Sequence, residues 1–269
     1  MPLAICATPI GNLGDVTLRV LEELREADLV LCEDTRHSRI LLERYEIDAR
    51  LESYHRHNEV ARTPRVIERL RAGERVALVS DAGLPGVNDP GARLVAAAVA
   101  EGIEVTVLPG ASAVETALVA SGLRVDRYQF VGYLPRRVGE LRALADGLTS
   151  WTGAVVAFES PHRLRASLAV LAEALPGRSA AVCRELTKRF EEVVRGTLGE
   201  LAARFEEPPR GEVTLVIGAP EGSPVVDSFD AARTAVADLV AAGASRRSAA
   251  EVVARLTGAS RNALYRDSL

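Results

Sequence analysis

Along the first half of the chain, short apolar runs alternate with stretches whose apolar residues recur every three or four positions. The runs Leu3 to Ala7, Leu29 to Cys32, Val76 to Val79 and Val105 to Leu108 have the length and apolar content of buried strands. Between them, Thr17 to Glu26, His37 to Tyr45, Pro64 to Arg71 and Gly91 to Ala100 carry a helical period. Strand then helix, repeated, predicts parallel βαβ units, because a parallel neighbour is reached only through a crossover. Ligands bind such sheets beyond the carboxyl ends of the strands. The segments that follow those ends are ATPIGNLGD, CEDTR, SDAGLPGVNDPG and LPGASA, rich in Gly, Pro, Asp and small residues. An ordinary strand-to-helix connection needs ~2 to 6 residues and one cap. The longer loop, with three glycines and two prolines, implies close backbone approach to a ligand.

A second half begins near Tyr128. Gln129 to Tyr133, Ala154 to Phe158, Ala180 to Arg184, Glu192 to Gly196 and Glu212 to Ile217 read as strands, with helical patterns at Val138 to Leu148, Arg163 to Leu175 and Leu198 to Phe205. Fewer helices separate the last strands, so this sheet is expected to be mixed or partly antiparallel. Glu221 to Ser228 reads as a linker. The Ala-rich remainder has helical periods at Ala231 to Ala242, Ala249 to Leu256 and Asn262 to Tyr265. Gly243-Ala244-Ser245 and Gly258-Ala259-Ser260 break it, each ending in a serine suited to an N-cap. The expected organisation is α/β domains over 1–118 and 119–222 and a helical tail over 223–269. The tail is either a helix-turn-helix module or a helical appendage.

With 269 residues, 48% hydrophobic and 26% charged, and a net charge of -4, the chain has the make-up of a soluble globular protein. The bulk charge argues against a strongly basic nucleic-acid binder but leaves room for local basic patches. Cys6, Cys32 and Cys183 lie far apart in or beside apolar runs and form no CxxC pair, as expected of reduced core thiols. The N-terminus MPLAICATPIGN lacks a basic leader, and no apolar run approaches the ~20 residues that span a bilayer. A cytoplasmic location is expected.

Several motifs carry chemistry. TPIGNLGD offers Gly11 and Gly14 after the first strand, but without the GxGxxG spacing of a dinucleotide site. CEDTRHSRILL places Glu33, Asp34, Arg36, His37 and Arg39 at a strand end, either as a capped helix with a rim ion pair or as part of a polar site. SYHRHNE adds His55 and His57 without a third ligand at useful spacing, so no metal is expected. ESPHR and RELTKRFEE again concentrate charge at strand ends, which predicts two halves facing each other across a polar cleft. Lys188, in the second of these, is the only lysine among 33 basic residues.

Taken in order, TPIGNLGD, EDTRHSRILL, YHRHNE, VALVSDAGLPGVNDPG, PGASA, LPRR, FESPHR and RELTKRFEEVVRGTL resemble the RsmI family of ribosomal RNA small-subunit methyltransferases, within the tetrapyrrole-methylase superfamily. The resemblance is dense from Leu3 to about Gly218, and SRNALY is similar to the family's C-terminal helix-turn-helix segment. Departures are small: Ala111 stands where proline is common, and Tyr133 and Arg137 where phenylalanine and lysine are common.

The resemblance implies two α/β domains with a cofactor cleft between them and a homodimer. It also implies 2'-O-methylation of a cytidine ribose in the decoding region of 16S rRNA, with S-adenosylmethionine as donor. On that reading, backbone groups of Asp81, Ala82, Gly83, Pro109, Gly110, Ala111, Ser112 and Ala113 contact the cofactor, and Pro9 closes the floor. The Asp81 carboxylate is suited to a ribose hydroxyl or an ammonium. Glu33 or Asp34 would accept or orient a proton, Lys188 would supply a cation, and Arg36 and Glu185 would position them. Arg39, Arg136 and Arg137, with Arg246, Arg247 and Arg261 of the tail, are the expected RNA contacts. Methylation of a tetrapyrrole carbon, or a cofactor-sensing RNA-binding module, are the alternatives; the arginine-rich rim disfavours the first.

Overall fold

The apolar runs become strands in the computed structural model, which describes residues 2–86, 89–220 and 228–267. The first half runs β1 (Leu3–Cys6), α1 (Leu18–Glu26), β2 (Leu29–Cys32), α2 (Thr35–Arg44), β3 (Leu51–Ser53), α3 (Glu59–Arg71), β4 (Val76–Val79), α4 (Ala92–Ala100), β5 (Val105–Leu108) and α5 (Ala113–Ser121). The second continues as β6 (Tyr128–Tyr133), α6 (Val138–Leu148), β7 (Ala154–Glu159), α7 (Leu164–Ala174), β8 (Ser179–Arg184), β9 (Glu192–Thr197), α8 (Leu198–Arg204) and β10 (Val213–Ile217). Three helices follow: α9 (Ser228–Ala241), α10 (Arg246–Thr257) and α11 (Arg261–Asp267).

The first sheet has the order β3-β2-β4-β1-β5, and all its pairings are parallel. Helices cover both faces, which is why its central strands are apolar throughout. Ala4, Cys6, Val30, Cys32, Ala77 and Val79 face α1 and α2, while Leu3, Ile5, Leu29, Leu31, Val76 and Leu78 face α3 and α4. The second sheet, β6-β7-β10-β8-β9, is parallel only between β6 and β7 and antiparallel elsewhere, so it is mixed, as the scarcity of crossovers implied.

Helix α5 ends the first half by sequence but packs on the second sheet. Its Val114, Ala117 and Leu118 share one apolar cluster with Ala154, Val156, Ala181, Cys183 and Val216, and Ile10 from the loop after β1 joins them. The expected boundary at 118/119 falls inside this helix. Both sheets lie in one compact unit, Met1–Ala219, and Pro220–Leu269 forms the other. The linker, and with it the boundary at 222/223, lies outside the described residues. The second unit has its own small core of Ala232, Val236, Ala249, Ala250, Val253 and Leu264. Ser245 caps α10 by accepting from Ser248 N at 3.1 Å, and Gly258 ends it in the left-handed conformation.

Two elements were not legible beforehand. Strand β3 is three residues long with polar Glu52 in its middle, and α5 is so Ala- and Val-rich that its faces barely differ. Helix α3 opens one turn before Pro64, because Asn58 organises the preceding turn: its Oδ1 accepts from His55 N at 2.8 Å and its amide donates to Ser53 O at 3.1 Å. Among the described residues no helix is long and apolar enough to cross a membrane.

Arg178, 5% exposed, is held by carbonyl oxygens: those of Gly218 (2.9 Å), Leu148 (3.2 Å) and Gly153 (2.9 Å). Burial pushes its guanidinium pKa down. The side chain ties the end of α6, the approach to β7 and the exit from β10 together. Replacing it by leucine strands the carbonyls of Gly218 and Gly153, while Leu148 O keeps its bond from Trp151 N at 3.1 Å, at ~1 to 3 kcal/mol for each buried group left unmet. Arg178→Leu is therefore expected to lower unfolding stability by ~2 kcal/mol or more, read as a fall in urea midpoint at unchanged slope.

Candidate active site

The loops after β1 and β4 leave neighbouring parallel strands and are stitched to each other. Thr8 N donates to Gly83 O at 2.9 Å and Gly83 N returns a bond to Thr8 O at 3.1 Å. Two hydroxyls lock the stitch: Thr8 Oγ1 donates to Ser80 O at 3.0 Å and Ser80 Oγ to Gly83 O at 3.1 Å. The loop after β5 closes against the same place. A side chain on Gly110 would bring its Cβ within 2.9 Å of Ala7 Cβ, so only glycine permits this approach.

Asp81, Ala82, Gly83, Pro109, Gly110, Ala111, Ser112 and Ala113, expected from sequence to meet a cofactor, all line one cavity of about 750 Å³. Its opposite wall comes from the second sheet and carries an aromatic cluster. Phe158 packs edge-on against Phe130 at 4.9 Å and against Tyr133 at 5.5 Å between ring centroids. Asp89, Glu115, Glu159 and Glu212 also line it, so the cavity combines apolar faces with a strongly acidic rim. Burial, with the charges of Glu33 and Asp81, pushes the Asp89 carboxyl up to about 6, against the opposing pull of Arg56.

A smaller cavity of about 460 Å³ adjoins it under α2 and shares Ile10, Asp81, Ala82 and Glu212 with it. Pro9 lies here, rather than with the other expected cofactor contacts, and so does Lys188. Lys188 Nζ donates to Glu185 Oε1 at 3.0 Å and to Glu212 Oε2 at 2.9 Å. Burial acts to lower the ammonium pKa, but Glu212 and Glu185 outweigh it and raise the pKa, so the group is a fixed cation. Gly11 makes room for it: any Cβ there would collide with Lys188 Cγ.

The turn that carries Lys188 is strained. Glu185 has φ 47° and Thr187 φ 64°, left-handed conformations costing non-glycine residues ~1 to 3 kcal/mol each. Local bonds hold the turn: Glu185 N to Glu212 O (3.1 Å), Lys188 N to Glu185 O (2.9 Å) and Thr187 N to Glu191 Oε2 (2.6 Å). Glu212, absent from the sequence-based candidates, is thus the second anchor of the only lysine. It immediately precedes β10, whose first residue Val213 pairs with Arg184 of β8.

The other expected catalytic groups sit at the edge. Asp34 caps α2, accepting from Arg36 N at 2.8 Å, and pairs with the exposed Arg36 guanidinium at 2.8 Å. The side-chain and backbone bonds from Arg36 hold the Asp34 carboxyl down at about 2, which makes it a weak base. Its backbone N–H donates to Asp81 Oδ1 at 3.2 Å, so it helps aim Asp81. Glu33, Asp34 and Arg36 line neither cavity, although the Glu33 charge is felt at Asp89.

Arg39, Arg136 and Arg137 are exposed, Arg137 near Glu140 at 3.2 Å. Arg246, Arg247 and Arg261 are exposed on the separate C-terminal unit. The LPRR loop is fixed from below by Arg163, which donates to Pro135 O and Leu134 O at 3.1 Å and to buried Glu159. Among the described residues no group of three or more His, Cys, Asp or Glu is arranged to hold a metal ion.

Residues 2–202 match the family of Tetrapyrrole (Corrin/Porphyrin) Methylases. The chain is 49% identical over 266 residues to a ribosomal RNA small subunit methyltransferase I of Micromonospora olivasterospora, covering 98% of this chain and 85% of that one. It is 46% identical over 267 residues to the protein of the same name from Mesorhizobium japonicum, covering 98% and 90%. Among solved structures, the uroporphyrin-III-C-methyltransferase of Thermus thermophilus superposes with a TM-score of 0.58 at 23% identity, over 80% of this chain and 93% of that one; this likeness shows the fold.

The raised Asp89 carboxyl has a measurable consequence. Because its pKa in the folded chain, about 6, lies above the ordinary 3.8, it favours folding fully only below the ordinary value. That contribution is lost as pH rises through about 6. Asp89→Asn is expected to match the parent near pH 4 and to exceed it above pH 7, by ~1 kcal/mol once solvent screening is allowed for. Urea titrations at the two pH values check the crossover.

Proposed function

We propose, for a chain that belongs to the tetrapyrrole methylase family and, within it, to the ribosomal RNA small subunit methyltransferase I family, that it methylates the 2'-hydroxyl of a cytidine in the decoding region of the small-subunit RNA. S-adenosylmethionine is the proposed donor. A cytoplasmic homodimer is the proposed working form. One observation carries the reading: the loops after β4 and β5 line the same cavity as an aromatic wall and an acidic rim. That set of groups fits the donor: Phe130, Phe158 and Tyr133 suit a flat adenine, exposed backbone groups suit its polar edge, and carboxylates suit ribose hydroxyls and positive charge. Bound there, the donor would supply a methyl group on a sulfonium.

What the protein contributes is alignment and charge. Holding the acceptor oxygen in line with the methyl carbon is worth up to ~7 to 11 kcal/mol. A ribose hydroxyl is a poor acid, so its oxygen needs a cation beside it or a base to take the proton. Lys188, kept protonated by Glu185 and Glu212, supplies the cation from the smaller cavity, bonded to Glu212 on the wall that both cavities share. Asp89, with a pKa of about 6, is better matched to proton acceptance than Asp34, whose pKa of about 2 keeps it ionised and weakly basic at neutral pH. Asp34 and Arg36 are orienting groups in this scheme, and the arginines of the rim and tail hold phosphates.

The test is transfer of tritium from labelled S-adenosylmethionine to small ribosomal subunits lacking the modification, followed by alkaline hydrolysis. A 2'-O-methyl group blocks cleavage at its own nucleotide, so one alkali-resistant cytidine is expected. Label released as a methylated base would refute the ribose assignment. Two variants probe the assigned roles. Asp81→Ala is expected to weaken cofactor affinity about tenfold or more in calorimetry, because charge-assisted bonds contribute ~1.5 to 3 kcal/mol. Lys188→Arg keeps the charge but replaces a compact ammonium, seated against Gly11, by a planar fork. It is expected to bind cofactor normally and lose at least ~10²-fold in methyl transfer.

A further inference from the structure

The smaller cavity contains a buried polar group with nothing adequate to bond. Ser38, on the inner face of α2, is 6% exposed and lines the cavity, and its Oγ has no oxygen or nitrogen partner, only the Cys32 sulfur. Its sulfur neighbour is the Cys32 thiol, a weak partner, which itself points to Glu52 O at 3.8 Å. Leaving a buried hydroxyl unmet is costly in a packed interior, so the site is built for something that arrives. Ile40, Leu41 and Val79 supply apolar surface, and Lys188 is part of the lining.

We propose that this cavity receives the pyrimidine ring of the target nucleotide, swung out of its stack, with the Ser38 hydroxyl bonded to the polar edge of the ring. The inference rests on the ribose-methylation reading above and adds which part of the substrate goes where. Position argues for it. The cavity shares Ile10, Asp81, Ala82 and Glu212 with the larger one, so a nucleoside with its base in the smaller cavity has its ribose at the common wall, beside the cofactor. Size and chemistry agree: about 460 Å³ is ample for a single flat ring, and apolar walls with one hydroxyl suit a neutral heteroaromatic better than a phosphate. An extruded base is read in this way, by contacts to its apolar faces and hydrogen bonds to its edge. The exposed Arg36 and Arg39 lie on α2, the helix that carries Ser38, where they can hold the flanking backbone.

The test uses the full-length protein and small subunits carrying cytidine, uridine or adenosine at the methylated position. The parent is expected to prefer cytidine over uridine and to fail on adenosine. In Ser38→Ala the cytidine rate constant kcat/KM should fall about tenfold, the loss expected for one buried hydrogen bond. Its cytidine-to-uridine preference should collapse, with cofactor affinity unchanged in calorimetry. A second variant, Ile40→Trp, alters a residue that is 55% exposed at the mouth and so spares the core. It should block RNA methylation and leave cofactor affinity intact. Ser38→Ala retaining the parent's preference would overturn the proposal, as would full activity of Ile40→Trp or equal use of adenosine by the parent. Methyl found away from the ribose would instead refute the functional reading, and the base preference would still report on the cavity.

Discussion

Two backbone hydrogen bonds between Thr8 and Gly83 fix the wall on which the candidate site is built. They join the loops leaving β1 and β4 just where the sheet stops supplying ladder partners. Unpaired backbone groups at that point would demand water, and a wet, mobile loop cannot present a fixed surface. The Thr8 hydroxyl adds a bond to Ser80 O and the Ser80 hydroxyl a second bond to Gly83 O, so the stitch is reinforced from within the protein. Asp81 and Ala82 are left on the wall between two cavities, one on each side.

Charge at this wall is arranged by contrast. Asp34 is driven towards permanent ionisation by Arg36, and Asp89 towards neutrality by burial and by its acidic neighbours. Pairs of carboxyls pushed apart in this way are the means by which one site orients with one group and exchanges protons with another. Lys188 lines the smaller cavity, confined by Glu185 and Glu212 on a turn with two strained residues. Strain so localised persists because surrounding bonds over-determine the turn, and it marks the spot where position outweighs stability.

What the sequence discloses is local. The glycine-rich loops follow apolar runs, so their gathering at one sheet edge is legible from βαβ alternation, and the segments 81–83 and 109–113 do line one cavity. The isolation of Lys188 in an arginine-rich chain points to it without any structure. Glu212 is invisible in the same reading, because its meeting with Lys188 depends on the antiparallel register of β10 on β8. Ser38 is hidden for another reason: in EDTRHSRILL it looks like one more polar helix residue, and only burial against β2 turns its hydroxyl into a feature. Asp89 lies in the loop after β4, but the rise in its pKa comes first from burial in the folded chain and then from the charges of Glu33, on another segment, and Asp81.

Strand β10 is the last strand of its sheet to be synthesised, yet it occupies the middle, between β7 and β8. Until residue 217 has left the ribosome, β7 and β8 each present an open edge, and the wall bearing Glu212 does not exist. Helix α5 meanwhile has only part of the apolar bed it will finally share with Val216. The last residue lining both cavities, Glu212, is therefore supplied late in translation, with the strand that closes the second sheet.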